Sequence, residues 1–288
     1  MHVGIVISNS EDWTAKSLLA VFQSRGADAE FLNFSELELL IDKRVSLKSN
    51  GLDLAQLDAI VVRDLGRRGA HDVALRFEVL IALQELGVHI INPPKAIARA
   101  ANKFATSVAL QRFEVPTPKT TIATDIEKAL QALQNYRKAV SKPLFGYKGR
   151  DIFLIEEGDE DKLRQIIEKN GLVYLQEFVE SLRPRDIRAF VVENRIIGAI
   201  YRVAPNGTWI SNLARGGTAE PCPMTEELMD MAVRANKAVG TIYSGVDLLE
   251  TKDGLKVIEV NGTPSGMGIY QALGIDVTRV IADVVLEL

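Results

Sequence analysis

Gly245-Val-Asp-Leu-Leu-Glu-Thr-Lys-Asp-Gly-Leu-Lys-Val-Ile-Glu-Val-Asn261 places two β-rich runs on either side of Lys252-Asp253-Gly254. The pattern predicts a hairpin with a three-residue loop and Gly254 in the left-handed position. That loop length sets the register, so Thr251 is expected to oppose Leu255 and, counting outward, Asp247 to oppose Glu259. Asn261 lies two residues beyond Glu259 and shares its face. Two carboxylates directly opposite each other repel. Either the hairpin is exposed with scattered acids, or a cation sits among them. Three oxygen-bearing side chains suit Mg²⁺.

Composition narrows the setting around this hairpin. The chain has 288 residues, more than a single core usually organises, so two or three domains are expected. At 47% hydrophobic and 25% charged it has the make-up of an ordinary soluble globular protein. A net charge of −4 argues against nucleic acid as the main partner. The single cysteine, Cys222, excludes an intramolecular disulfide framework and fits a reducing cytoplasm. His2, His71 and His89 show no metal-ligand spacing. The β-branched start has no basic n-region, so no signal peptide is expected. No apolar run reaches the ~18 residues of a membrane span, and no membrane partner is expected.

Working outward from the hairpin, the first 92 residues alternate strands and helices. Strands are expected at 3–7, 29–32, 59–63 and 88–91. One helix carries Leu18, Leu19 and Phe22 and stops near Gly26, and another runs over 73–86. This alternation predicts a doubly wound parallel sheet, with ligands beyond the carboxyl ends of its strands. No Gly-x-Gly-x-x-Gly follows the first strand, so a dinucleotide fold is not expected. Asn92-Pro-Pro-Lys95 breaks the rhythm and marks a boundary. A helix is expected over 96–113, then strands at 120–122, 138–142, 152–155 and 172–178 with helices at 125–135 and 160–169. From Val179 the pattern turns antiparallel, with a hairpin about Glu193-Asn194. A helix over 224–240 leads into the 245–261 hairpin, and a helical segment closes the chain.

Several side chains stand where this layout permits chemistry. Lys142 ends a strand beside a loop containing Gly146 and Gly149, an arrangement that brings ammonium and backbone N–H groups to phosphates. The alternative is a lysine-rich surface hairpin. Lys103, taken alone, reads as a solvated position on a helix. Gln176-Glu177-Phe178-Val179 ends a strand before a linker, where backbone groups can read an adenine edge and an acid can hold ribose hydroxyls. A plain strand end fits the same spacing. Arg188, Arg202 and Arg215 are spaced along the sheet that carries Asp247 and Glu259, with Asn212 near Arg202. Surface salt bridging competes with a role as donors to carboxylate or phosphoryl oxygens. In Arg215-Gly216-Gly217 the two glycines let the backbone approach a ligand.

Taken together these residues resemble the RimK-type ATP-grasp ligases, ADP-forming carboxylate–amine ligases, over nearly the whole chain. The marks are Asn92-Pro-Pro with Asn102-Lys103, Ser141-Lys-Pro-Leu-Phe-Gly-Tyr-Lys-Gly149, Gln176-Glu-Phe-Val179 and Asp186-Ile-Arg188. Ser211-Asn-Leu-Ala-Arg-Gly-Gly217, Gly245-Val-Asp247 and Glu259-Val-Asn-Gly-Thr-Pro264 continue the series. The resemblance implies an ATP-grasp fold: an N-terminal doubly wound α/β domain (1–95) and two α+β domains (96–178 and 179–288) that grip ATP.

It further implies that Lys103, Lys142 and the Gly146–Gly149 loop contact ATP phosphates. Gln176, Glu177, Phe178 and Val179 line the adenine pocket, and Asp186 stands on the ribose side. Arg202, Arg215 and Asn212 meet the transferring phosphoryl group. Asp247, Glu259 and Asn261 bind two Mg²⁺ ions, or Mn²⁺. Arg63, Arg188 and Ser265 border the substrate.

The sequence departs from the family at Asn102, where an acid is common, and at Ala214, where ribosomal-protein modifying members carry histidine. Loop 263–268 resembles the archaeal type that adds glutamate to tetrahydromethanopterin. Residues 199–202 and 209–212 also resemble enzymes that load aminoadipate or glutamate onto carrier proteins. The expected partners are a carboxylate acceptor, small or at a protein terminus, and an amino acid, in a cytoplasmic homo-oligomer.

Overall fold

The structure is a computed structural model that describes residues 1–66, 69–146, 151–205, 211, 213 and 216–288. The first unit runs β1 (His2–Val6), α1 (Trp13–Ser24), β2 (Asp28–Leu32), β3 (Leu37–Ile41), β4 (Val45–Ser49) and β5 (Leu52–Asp53). It ends with β6 (Ala59–Val62), α2 (Ala70–Glu85) and β7 (His89–Ile91). Strands β2-β1-β6-β7 pair in parallel in that order. Val3 and Ile5 pack toward α1 on one face, while Val6, Ile60 and Val62 pack toward Val79, Leu80 and Leu83 of α2 on the other. Helices on both faces bury a parallel sheet, which is why its strands read as continuous β-branched runs. The doubly wound sheet is as expected. The antiparallel excursion β3-β4-β5 is not foreseen, because apolar Leu40, Ile41 and Val45 stand exposed there and break the alternation that announces a strand.

The second stretch begins with α3 (Pro94–Ala101) and α4 (Lys103–Arg112), in place of the single expected helix. Asn102 breaks them with extended backbone, φ −102 and ψ 108. Its side chain accepts from the Phe104 and Ala105 N–H groups at 3.0 and 3.2 Å, an N-cap. Lys103 therefore opens α4, and its N–H donates to the Leu144 carbonyl at 3.1 Å. Ala109 and Leu110 of α4 join the core formed by the last unit. β8 (Thr120–Ala123), α5 (Ile126–Tyr136), β9 (Lys138–Lys142), β10 (Phe153–Glu156), α6 (Glu160–Asn170) and β11 (Val173–Glu177) follow. They form an antiparallel sheet, β10-β9-β11-β8, with its own core.

The last unit contains β12 (Arg185–Val192), β13 (Arg195–Val203), β14 (Thr218–Pro221), α7 (Glu226–Val239), β15 (Tyr243–Thr251) and β16 (Gly254–Asn261). α8 (Met267–Leu273) and α9 (Val277–Leu286) close the chain. The sheet order is β14-β13-β12-β15-β16. α9 packs on α1, and its Ile281 and Val285 share a core with Val3 and Ile5. The first and last units are therefore packed together.

The decisive hairpin differs from expectation at its tip. Thr251 pairs with Gly254 (φ +98) instead of Leu255, so the connection is one residue tighter. The ladder then slips between Leu248–Val257 and Asp247–Glu259, leaving Ile258 as an unpaired bulge residue. The bulge restores the lost residue, and Asp247 opposes Glu259 as expected.

Candidate active site

The bulge also re-aims side chains. Successive residues of a regular strand face opposite ways, yet Ile258 and Glu259 both line one cavity of about 520 Å³. That cavity lies between the β10-β9-β11-β8 sheet and the β12-β13-β15-β16 strands, with the linker 178–184 as a wall.

Its acidic end is built from two residues per strand pair. Asp247, 2% exposed, sits opposite Arg188 on β12. Arg188 Nε donates to Asp247 Oδ1, and Nη2 to Oδ2 at 2.9 Å. Arg202 lies opposite Asp186 and donates to both of its carboxylate oxygens at 2.6 Å, and to Asp247 Oδ2 at 2.7 Å. Burial alone pushes the Asp247 carboxyl up, but Arg188 and Arg202 outweigh it and hold the group below its usual range. Burial likewise opposes charge on Arg202, and Asp247 and Asp186 keep its pKa above the ordinary value. The result is a buried, net-balanced network in which both Asp186 oxygens serve Arg202.

The cationic side lies across the cavity. Lys103 Nζ meets Glu259 Oε1 at 3.1 Å. Lys142, at the end of β9, donates to Gln176 Oε1 at 2.7 Å. Burial, and secondarily the Lys103 charge, lowers the Lys142 ammonium to about 8, although Glu259, Asp247 and Asp186 oppose the shift. Gly146 lies on the cavity wall. Gly149, Asn212 and Arg215 lie outside the described residues.

Val140, Ile152, Leu249 and Ile258 give the same cavity apolar walls. Glu177, Phe178 and Val179 also line it. The Glu177 N–H is held by the Lys119 carbonyl at 2.8 Å and the Phe178 N–H by that of Lys138 at 3.0 Å. The sequence reading missed what fixes the linker: Leu182 N–H donates to the Glu250 carbonyl at 2.9 Å, and Arg185 clamps Glu250 Oε2 at 3.0 and 2.8 Å. Glu180 on this wall was also missed. These partners are far apart in sequence, and only the basic, proline-interrupted character of the linker hints at them.

Two expected substrate residues are engaged by partners within the protein. Arg63, 4% exposed, donates through Nη1 to the Pro264 carbonyl at 2.8 Å and through Nε and Nη2 to Asp12 at 3.3 and 3.2 Å. It braces the loop after Asn261 from behind. Arg188 is committed to Asp247. Ser265 stands exposed on the same loop.

Among the described residues, no three His, Cys, Asp or Glu side chains form a metal-holding group. The expected set is two acids and an amide, and its donor chemistry fits a hard divalent ion such as Mg²⁺ or Mn²⁺. Asn261 Nδ2 is buried with no hydrogen-bond partner. Turning that amide over places Oδ1 there, an acceptor suited to a cation. No helix among the described residues is long and apolar enough to cross a membrane.

The comparisons with known proteins cover both halves. Residues 100–285 match the RimK-like ATP-grasp domain and residues 1–97 the RimK PreATP-grasp domain. The tetrahydromethanopterin:alpha-L-glutamate ligase of Methanosarcina acetivorans is 38% identical, with 98% of this chain and 97% of that protein covered. The protein of the same name from Methanococcus maripaludis is 36% identical, with 100% and 98% covered. The solved structure of the ATP-grasp ligase PsnB complexed with minimal precursor, Mg and ADP is similar in fold. Its TM-score is 0.75 at 20% identity, with 99% of this chain and 97% of that chain covered.

Proposed function

The chain belongs to the RimK-like ATP-grasp family, and from that membership we propose an ATP-dependent ligase that joins L-glutamate to tetrahydromethanopterin. The observation that carries the reaction class is one cavity uniting Lys103, Lys142 and Glu259 with the buried Asp247–Arg188–Arg202 network. The acceptor is proposed from the near end-to-end likeness to relatives bearing that name.

ATP enters with its adenine between the apolar walls, against the 177–179 strand end, and its phosphates toward Lys103 and Lys142. Asp186, bonded by Arg202 through both oxygens, stands on the ribose side and holds that arginine in place. Asp247, Glu259 and Asn261 would hold Mg²⁺, which supplies charge neutralisation at the β- and γ-phosphates; two ions are proposed. The acceptor carboxylate attacks the γ-phosphorus, forming an acyl phosphate and releasing ADP. The glutamate amine then attacks the acyl carbon, loses a proton and expels phosphate, leaving an amide. Arg202, with Arg215 and Asn212, stabilises charge on the transferring group. Arg188 positions Asp247, and Ser265 meets the acceptor. The proposed domains are 1–95, 96–178 and 179–288, in a cytoplasmic homo-oligomer.

The test is incubation with ATP, Mg²⁺, labelled glutamate and tetrahydromethanopterin, followed by mass spectrometry and ADP detection. One glutamyl residue on the pterin with stoichiometric ADP is expected. Glutamate on a peptide C-terminus, with the pterin unmodified, would replace the acceptor and leave the reaction class standing. ADP release without any need for an amine would indicate a phosphotransferase.

A further inference from the structure

Loop 262–268 lies over the carboxyl ends of the parallel strands and is pinned at three points. Asn92, just past β7, donates to the Gly262 carbonyl at 2.6 Å. Arg63, just past β6, donates to the Pro264 carbonyl at 2.8 Å. The Gly266 N–H donates to Thr14 Oγ1, near the start of α1, at 2.9 Å. Open parallel sheets bind ligands at this edge, and here the covering loop starts one residue after Asn261.

An aromatic wall stands at the outer end of that loop. The Trp13 and Tyr270 rings, from the first and last units, are 5.2 Å apart between centroids with planes inclined by 33°. A Cβ added to Gly266 would lie 3.5 Å from Trp13 Cζ3, so the loop runs directly against the indole. Tyr270 remains 47% exposed and Met267 beside it 38% exposed, on a helix whose Gly268 and Ile269 are buried. Two chain segments thus converge to leave ring and thioether surface in water, continuous with the loop that leads to Asn261.

We propose that Trp13 and Tyr270, flanked by Met267, are specificity-determining residues that stack a planar heteroaromatic ring of the acceptor. This rests on the ligase reading of the adjoining cavity. Stacked rings prefer offset contact with an open face, which Tyr270 supplies. Ser265 follows Asn261 by four residues, at most about 14 Å of extended chain, and Tyr270 stands further along α8. The ring subsite is therefore reached along one loop and the first turn of α8 from the proposed ion site, and the two share no residue. The acceptor it selects carries such a ring in addition to its reacting acid.

The test uses the intrinsic fluorescence of Trp13 in a Trp209→Phe background, since the chain has 2 tryptophans. Tetrahydromethanopterin is the probe and glutarate the ring-less control. Saturable quenching by the pterin, and none by glutarate, is expected. Tyr270→Ala should raise the pterin Kd and KM by about tenfold with the KM for ATP unchanged, and Tyr270→Phe should restore both. Circular dichroism verifies that each variant is folded. Turnover with an unaltered pterin KM in folded Tyr270→Ala would overturn the proposal and leave the ligase reading intact. Quenching lost in Tyr270→Ala, in a protein that transfers no glutamate to the pterin, would support the ring site and remove the assigned reaction.

Discussion

The Asn92 side-chain amide donates to the Gly262 carbonyl at 2.6 Å, joining the last parallel strand to the residue that follows Asn261. The same amide donates to the Tyr243 carbonyl at 2.8 Å, and its oxygen accepts from the Ile242 and Tyr243 N–H groups at 2.6 and 3.0 Å. Every hydrogen-bonding position of a buried amide is thus spent at the start of the strand that carries Asp247 and just past the end of the one that carries Glu259. Asn92→Ala would leave buried backbone groups unpaired and is expected to destabilise the protein by about 3–5 kcal/mol. Urea unfolding with an unchanged m-value measures it.

Arg202 answers two buried carboxylates at once. Arg202→Ala leaves Asp186 and Asp247 without that partner, and a loss of about 3–5 kcal/mol in stability is expected. Turnover should fall on the order of 10²–10³-fold. Arg202→Lys keeps the charge without the two parallel bonds to Asp186 and should fall between. Thermal unfolding and single-turnover assays separate the two effects.

Arg215 lies outside the described residues, and its variant tests the proposed chemistry directly. Arg215→Ala should lose on the order of 10²–10³ in turnover while still binding ATP. Calorimetric titration with ATP, alongside ADP release, distinguishes this from a folding defect. Near-normal turnover would remove Arg215 from the mechanism.

Lys142 gives the free enzyme a pH signature. Its ammonium, lowered to about 8 by burial, loses its charge as pH rises through that value. ATP affinity should therefore weaken between pH 7 and 9, and Lys142→Arg, which does not titrate there, should flatten the profile. The effect on folding has the opposite slope. Between about 8 and the ordinary value of 10.5, the unfolded chain binds the extra proton. The stability cost of this lysine consequently shrinks as pH rises across that window.

Glu259 and Asn261 are expected to govern ion affinity. Glu259→Gln removes a charge and should weaken Mn²⁺ binding on the order of tenfold, whereas Asn261→Asp adds one and should tighten it. Electron paramagnetic resonance of free Mn²⁺ reads both without turnover. Equal affinities in both variants would remove these residues from the ion site.

Much of this architecture is legible in the residues, and the gaps have physical causes. The facing of Asp247 and Glu259 follows from counting outward along two β-rich runs, even though the tip pairs Thr251 with Gly254. A bulge among apolar residues leaves no compositional mark, so the two offsets cancel unseen. The break at Asn102 is hidden because apolar spacing continues across it, and only a capping side chain betrays it. Arg63 reads as a ligand-facing residue because it ends a strand, but its partners Asp12 and Pro264 are 51 and 201 residues away. Arg185 and Glu250, 65 residues apart, are equally invisible until the sheet is assembled.

The bulge at Ile258 makes the hairpin open to editing by length as well as by side chain. Val257 already pairs with Leu248, and Glu259 with Asp247. Deleting Ile258 would close the ladder into an unbroken one with both acids still opposed. It would remove one apolar side chain from the wall of the proposed nucleotide cavity without altering a proposed ion ligand. A single-residue deletion thus offers a way to separate recognition of the base from retention of the ion.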